Sequence, residues 1–239
     1  MYKSFNENNT EITREDINRI TGFNPINVSL YQAAFIHKSV LRFVDNFSYE
    51  RLEFLGDSIL NLIIAKFIFN KYSHKEEGFL TRIRTKLVNG KTLAYLANKL
   101  NLNKFIILSK NIEHIGGRNN DRILEDVFEA FLCSIFQDLG YDYVEFFVIN
   151  LIDKYIDFDD LEKDNNYKDI LLRYCQQNFN TTPTYRLIET QNNKQNIKKF
   201  TTVVIIKDTE YESGVGKTKK TAEQDASKNT LLKFGIKLE

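Results

Sequence analysis

From Tyr49 to Tyr72 the chain runs without proline and with one glycine, Gly56. Its apolar residues fall on most of a helical circumference, so the stretch predicts a long, buried, central helix with others packed around it. Phe79–Leu100, Arg122–Leu139 and Tyr143–Ile156 carry three-four spacing, and Gly22, Gly78, Gly116, Gly117 and Gly140 punctuate these segments. Residues 1–156 therefore read as an all-α domain without an internal repeat. The rhythm then changes. Tyr167–Asn178 reads as a helix, Pro183 ends a turn, and Thr184–Glu189, Phe200–Ile206 and Glu210–Gly214 read as short strands. Thr218–Phe234 returns to helix, with Ala222, Ala226, Leu231 and Leu232 on its apolar side. Residues 167–239 thus read as an α-β-β-β-α unit, and the fold class is multidomain: all-α, then α+β. Between the two, "DFDDLEKDNN" (157–166) reads as an exposed, acidic linker.

The 239 residues suffice for two modest domains, each able to bury a core. A net charge of +1 conceals an asymmetry: residues 167–239 hold 13 Lys+Arg against 8 Asp+Glu, and the remainder holds 20 against 24. The balance of +5 against −4 predicts a basic binding module attached to a more acidic body. Cys133 and Cys175 form no CxxC pair, and His37, His74 and His114 are scattered. That pattern argues against a zinc site or a disulfide framework and points to a reducing, intracellular compartment, the cytoplasm. The start, "MYKSFNENNT", lacks an apolar signal segment. The longest apolar run, Ile59 to Phe69, is broken by Asn61 and Lys66 and is too short to span a bilayer, so no membrane partner is expected.

Within the long helix, Glu50, Glu53 and Asp57 are spaced by three and then four, which places all three on one face. Asp126 and Glu129 repeat the spacing in "RILEDVFEAF". Carboxylates among so many apolar neighbours are costly unless paired. Two of them about 4 Å apart repel by roughly 4 kcal/mol at an effective dielectric near 20. Arg51 is a candidate counter-charge for one pair, and Mg²⁺, which prefers hard oxygen ligands, suits the whole cluster. On spacing alone, solvated helix faces remain open beside a metal site. Gly56 reads as permitting close packing rather than as chemistry.

The fragment "GVGKT" (214–218) suggests a phosphate-binding loop for ATP or GTP. Such a loop needs a glycine five residues ahead of the Gly of "GKT", where this chain has Tyr211, and it belongs to a parallel βαβ layout. No nucleotide cofactor is expected. There remain two glycines feeding a helix that opens with Lys217, Lys219 and Lys220. Free N–H groups at a helix start plus lysines make a landing place for phosphate oxygens, although a solvated basic helix start stays open on this stretch alone.

"GVGKTKKTAEQDAS" after three strands, with "PTYRLIE" before them, resembles the double-stranded-RNA-binding domain, whose hallmark is G-x-G-x-S-K-K-x-A. Such domains span about 16 base pairs across two minor grooves and the major-groove phosphates between them. The resemblance implies that Lys217, Lys219 and Lys220 bridge the major groove, the loop Gln191–Lys199 enters one minor groove and the first helix the other. Thr218 replaces the usual Ser, Asn196 stands where a His is common, and Leu172 and Arg173 stand where Gln and Glu are frequent.

"YERLEFLGDSIL" (49–60) closely resembles the ribonuclease III signature N-E-R-L-E-F-L-G-D-S. "LYQAAFIHKS" (30–39), "EEGFLTRIRTKLVNGKTLAYLA" (76–97) and "RILEDVFEAFLCSIFQD" (122–138) follow the family's order, so the resemblance covers nearly the whole chain. It implies that Glu53, Asp57, Asp126 and Glu129 are the metal-binding catalytic set, and that Glu50 and Glu77 are a further acidic pair near the scissile strand. The one departure in the signature is Tyr49 for Asn. The implied activity is Mg²⁺-dependent cleavage of double-stranded RNA, with Mn²⁺ as a substitute, to 5′-phosphate and 3′-hydroxyl ends. A homodimer is implied, with Phe54 at the dimer contact, although a plain core role for Phe54 stays open. His37 is expected to be structural. Relatives that bind duplex RNA without cutting have usually lost some of the acids, and this chain keeps all six.

Overall fold

In the computed structural model, residues 9–43, 48–163, 166–192 and 198–238 are described. The chain divides into two compact units, Met1–Leu161 and Glu162–Glu239. The first holds helices α1 (Arg14–Thr21), α2 (Val28–Ala33), α3 (Glu50–Lys71), α4 (Glu77–Leu87), α5 (Gly90–Lys99), α6 (Lys110–His114), α7 (Asp121–Leu139), α8 (Tyr141–Tyr155) and α9 (Phe158–Glu162).

The central helix is α7, not α3. Every residue from Val127 to Ile135 is buried, because α2, α3, α5 and α8 all pack on α7. α3 buries Gly56, Ile59, Leu60, Ile63, Ile64 and Ile68 on one side and exposes Phe54, Leu62 and Phe69 on the other. Its high apolar content therefore reflects two apolar faces, one of them uncovered in the single chain. The stretch Phe79–Leu100 also differs from its continuous periodicity: it is two helices, α4 and α5. Asn89 caps the second by accepting the Thr92 N–H at 3.1 Å, so the break lies at Val88 and Asn89. Asn120 caps α7 in the same way, accepting from the N–H groups of Arg122 and Ile123.

Gly56 sits where α3 and α7 touch. A Cβ there would lie 1.9 Å from the carbonyl oxygen of Glu129, so only glycine allows this approach. At the far end of α7, Asp138 accepts the backbone N–H groups of Ile26 and Asn27 at 2.8 and 2.7 Å and the Tyr31 hydroxyl at 3.0 Å, fixing the start of α2. Part of the acidic stretch 157–166 is helical, as α9, and its Phe158 and Leu161 pack against the helical core.

The second unit holds α10 (Tyr167–Phe179), β1 (Thr184–Asn192), β2 (Lys198–Ile206), β3 (Thr209–Gly216) and α11 (Lys219–Lys233). The strands form an antiparallel sheet in the order β1-β2-β3. Lys207 and Asp208 both take positive φ, 48° and 66°, in the two-residue turn between β2 and β3. That is the turn whose twist suits a hairpin. Leu171 and Cys175 of α10, Val204 and Ile206 of β2, and Ala226 and Leu231 of α11 make the core. Gly214 and Gly216 are not loop residues: both lie in β3, pressed against α11. A Cβ on Gly214 would meet the Ala226 nitrogen at 1.9 Å, and one on Gly216 the Thr221 Oγ1 at 2.2 Å.

β1 and β2 extend beyond their expected ends, to Asn192 and back to Lys198, so strand flanks the expected loop on both sides. Asn196, within that loop, lies outside the described residues. Both cysteines are buried and free. Among the described residues no helix is long and apolar enough to cross a membrane.

Candidate functional site

The contact at Gly56 gathers the acids. Glu53 and Asp57 flank it on α3, and Asp126 and Glu129 emerge from the facing stretch of α7. Glu129 is the most enclosed, 7% exposed, with no hydrogen-bond donor to its carboxylate among the described residues. Burial, then the charges of Asp57, Glu125, Glu53 and Asp126, push its carboxyl up to about 8. Glu53 is raised by burial and by the charges of Asp126 and Glu50. Asp126 is raised by burial, against the opposing effects of a hydrogen bond from Tyr49 and the charges of Arg122 and Lys38. The helices thus bring Glu50, Glu53, Asp57, Asp126 and Glu129 into one electrostatic group.

The members are not equivalent. Glu50 and Asp57 are exposed; Glu50 accepts from Lys38 Nζ at 3.1 Å and from Ser48 Oγ at 3.3 Å, and the lysine's hydrogen bond holds its carboxyl below the usual range. Asp57 accepts from Asn61 Nδ2 at 2.7 Å. Glu77, the first residue of α4, accepts from Thr81 Oγ1 at 2.7 Å and is not among the groups that most strongly shift the other acids. Arg51 is exposed; the cations that act on the cluster are Lys38 and Arg122.

His37 is buried, and its Nδ1 accepts the Ser39 N–H at 3.0 Å. Burial, then the Lys38 charge, lowers its pKa against the opposing charge of Glu50, and its ring lies beside that of Tyr49. The donor set suits a hard divalent cation: all oxygen, strongly anionic, with one member buried and meeting no donor among the described residues. Among the described residues no three of these side chains meet at a single ligating point, so the helices supply donors and charge rather than a closed shell.

In the second unit, Thr218 is the N-cap of α11. Its hydroxyl accepts the Thr221 N–H at 3.2 Å, and the Thr221 hydroxyl in turn accepts the Thr218 N–H at 3.0 Å. Lys217, Lys219 and Lys220 are exposed at this helix start, which has no acidic residue in its first turn. Cations at the positive end of a helix are placed against its dipole, an arrangement that an anion relieves. Among the described residues the three lysines have no ion-pair partner.

A family model described as ribonuclease-III-like matches residues 27–155, which contain every acid of the cluster. The chain belongs to the ribonuclease III family. A double-stranded RNA binding motif matches residues 167–234. Ribonuclease 3 of Staphylococcus haemolyticus is 36% identical over 89% of this chain and 88% of its own length. A putative protein of Paramecium bursaria Chlorella virus 1 is 36% identical over 94% of this chain and 80% of its own. Among solved structures, the nuclease domain of ribonuclease III from Campylobacter jejuni is 34% identical with a TM-score of 0.57, covering 60% of this chain and 99% of that one.

Against this ribonuclease III background, sequence reading missed two parts of the site. Glu125 stands beside Asp126, and burial and the Asp126 charge raise its carboxyl. A Cβ on Gly90 would lie 2.3 Å from its Oε2, so Glu125 rests against the first turn of α5. Its position one residue from Asp126 was the available signal. Tyr49 was read only as a departure from the signature, yet its hydroxyl donates to Asp126 at 3.2 Å.

Proposed function

We propose that this chain is an endoribonuclease that cuts double-stranded RNA by metal-assisted hydrolysis, acting as a homodimer. The observation that carries the reading is Glu129: a buried carboxylate that meets no donor among the described residues, beside four other acids, on a helix pair that glycine draws together. Glu53, Asp57, Asp126 and Glu129 would hold Mg²⁺, with Mn²⁺ as a substitute, and Glu50 and Glu77 lie toward the scissile strand. When bound, the cation supplies Lewis-acid chemistry, activating the attacking water and stabilising the departing 3′ oxygen. The protein's own contribution is to fix the acids on two helices, so that little ordering is left for the moment of reaction.

The second unit supplies the grip. Lys217, Lys219 and Lys220 take backbone phosphates at the start of α11, which Thr218 caps, and Asn196 lies on the loop expected to reach a minor groove. Sequence-independent contact of this kind suits duplex RNA, whose bases are hidden in a deep, narrow major groove.

One acid cluster serves one strand, and a duplex has two. The exposed face of α3, with Phe54 at 79% exposure beside Leu62 and Phe69, supports a second copy as its cover. The Campylobacter jejuni relative is described as having a region involved in dimer formation. The alternative is a protein that holds duplex RNA without cutting it. Labelled duplex RNA incubated with Mg²⁺ and either the unmodified protein or Asp126→Asn separates them. Cleavage by the first alone is expected, leaving 5′-phosphate and 3′-hydroxyl ends; retention of intact RNA by both favours the binder.

A further inference from the structure

We infer that the Tyr49 hydroxyl is a positioning group for Asp126 and, through it, sets how tightly the acid cluster takes up a divalent cation. The inference rests on the metal reading above.

Tyr49 stands at the residue before α3 and is 1% exposed. Its backbone is held at both ends: its N–H donates to the Ile36 carbonyl at 3.1 Å, and its carbonyl accepts the Glu53 N–H at 2.8 Å. Its ring lies against the His37 imidazole, centroids 5.8 Å apart. That imidazole is itself fixed by the Ser39 N–H at Nδ1, and the His37 backbone N–H donates to the Ile107 carbonyl at 3.2 Å. The phenol is therefore immobilised from its backbone outward, and among the described residues the one acceptor its hydroxyl finds is Asp126 Oδ2 at 3.2 Å.

Among the described residues this is the one hydrogen bond to the Asp126 side chain. It fixes the carboxylate's torsion, which is otherwise broad and roughly two-fold. Oδ1 and a further lone pair of Oδ2 are left for a cation. The donor's neutrality matters: a lysine in its place would bring a positive charge that competes with the cation, whereas a phenol orients the acid without displacing anything. Outer partners of this kind typically contribute 10–100-fold to metal affinity. The signature's Asn has a shorter side chain than Tyr and does not extend as far from the same backbone position, so the departure at 49 gives this chain a support that the signature does not encode.

The test is Mn²⁺ binding to the 239-residue chain without RNA, followed by Mn²⁺ electron paramagnetic resonance, for the unmodified chain and for Tyr49→Phe. Melting in chelator and the Mg²⁺ dependence of cleavage complete it. Phe keeps the ring and removes only the hydroxyl. The expected result is Mn²⁺ affinity weakened about tenfold or more, with the metal-free melting temperature nearly unchanged. The Mg²⁺ needed for half-maximal cleavage should rise, and the rate should recover at saturation. In an Asp126→Asn background, adding Tyr49→Phe should change Mn²⁺ affinity no further. Equal Mn²⁺ affinity of Tyr49→Phe and the unmodified protein would overturn the inference while leaving the nuclease reading intact. A Tyr49→Phe protein that no longer folds would also overturn it, because the hydroxyl would then serve stability. An unmodified protein that takes up no Mn²⁺ would overturn the metal reading itself.

Discussion

A glutamate buried beside four other carboxylates keeps its proton far above the usual range, and Glu129 is pushed up to about 8 from 4.5. Between those values the folded chain binds a proton that the unfolded chain has lost, so stability falls as pH rises through that window. Glu53 and Asp126 are raised as well and act in the same direction. In chelator, the melting temperature of the nuclease unit should therefore decline between about pH 5 and pH 8. Glu129→Gln, always neutral, should remove much of that decline, stabilising the metal-free protein at the alkaline end and changing little near pH 4. Calorimetry across this range checks the prediction, and a flat profile for the unmodified protein would contradict it. The same residue ties stability to function, since the charge that weakens the empty fold is the charge that attracts a cation.

At the scale of elements, the site exists because α3 and α7 come into backbone contact at Gly56. A methyl group there has nowhere to go, because the obstacle is the Glu129 main chain. Gly56→Ala should force the two helices apart, lowering stability by about 1–3 kcal/mol or more and separating Glu53 and Asp57 from Asp126 and Glu129. Denaturant unfolding with a cleavage assay checks both, and a stable, fully active Gly56→Ala protein would refute this role. The close-packing role of Gly56 was legible in sequence, as were the acids' shared helix faces and the order α-β-β-β-α. The central position of α7 was not, because apolar content alone does not reveal which face remains uncovered, and α3 has two apolar faces of which one is uncovered. The break at Asn89 was legible in principle, since Asn three residues before Thr92 is a cap signal, but the apolar spacing runs on through it. The Tyr49 bond to Asp126 joins residues remote in sequence, and no local pattern announces it.

For the whole molecule, the proposed function assigns gripping and cutting to different units. The basic start of α11 belongs to one compact unit and the acids to the other. The charge asymmetry along the sequence marks the same division. The most direct test measures duplex-RNA affinity and single-turnover cleavage side by side for Glu129→Gln and for Lys219→Ala with Lys220→Ala. The account predicts that Glu129→Gln binds duplex RNA as tightly as the unmodified chain and cuts it at least a hundredfold more slowly. It predicts that the lysine variant binds more weakly, with a shallower salt dependence, and cuts normally once enzyme is in excess. A Glu129→Gln protein that cleaves at the unmodified rate, or an unmodified protein that binds duplex RNA and never cuts it in Mg²⁺ or Mn²⁺, would contradict the account.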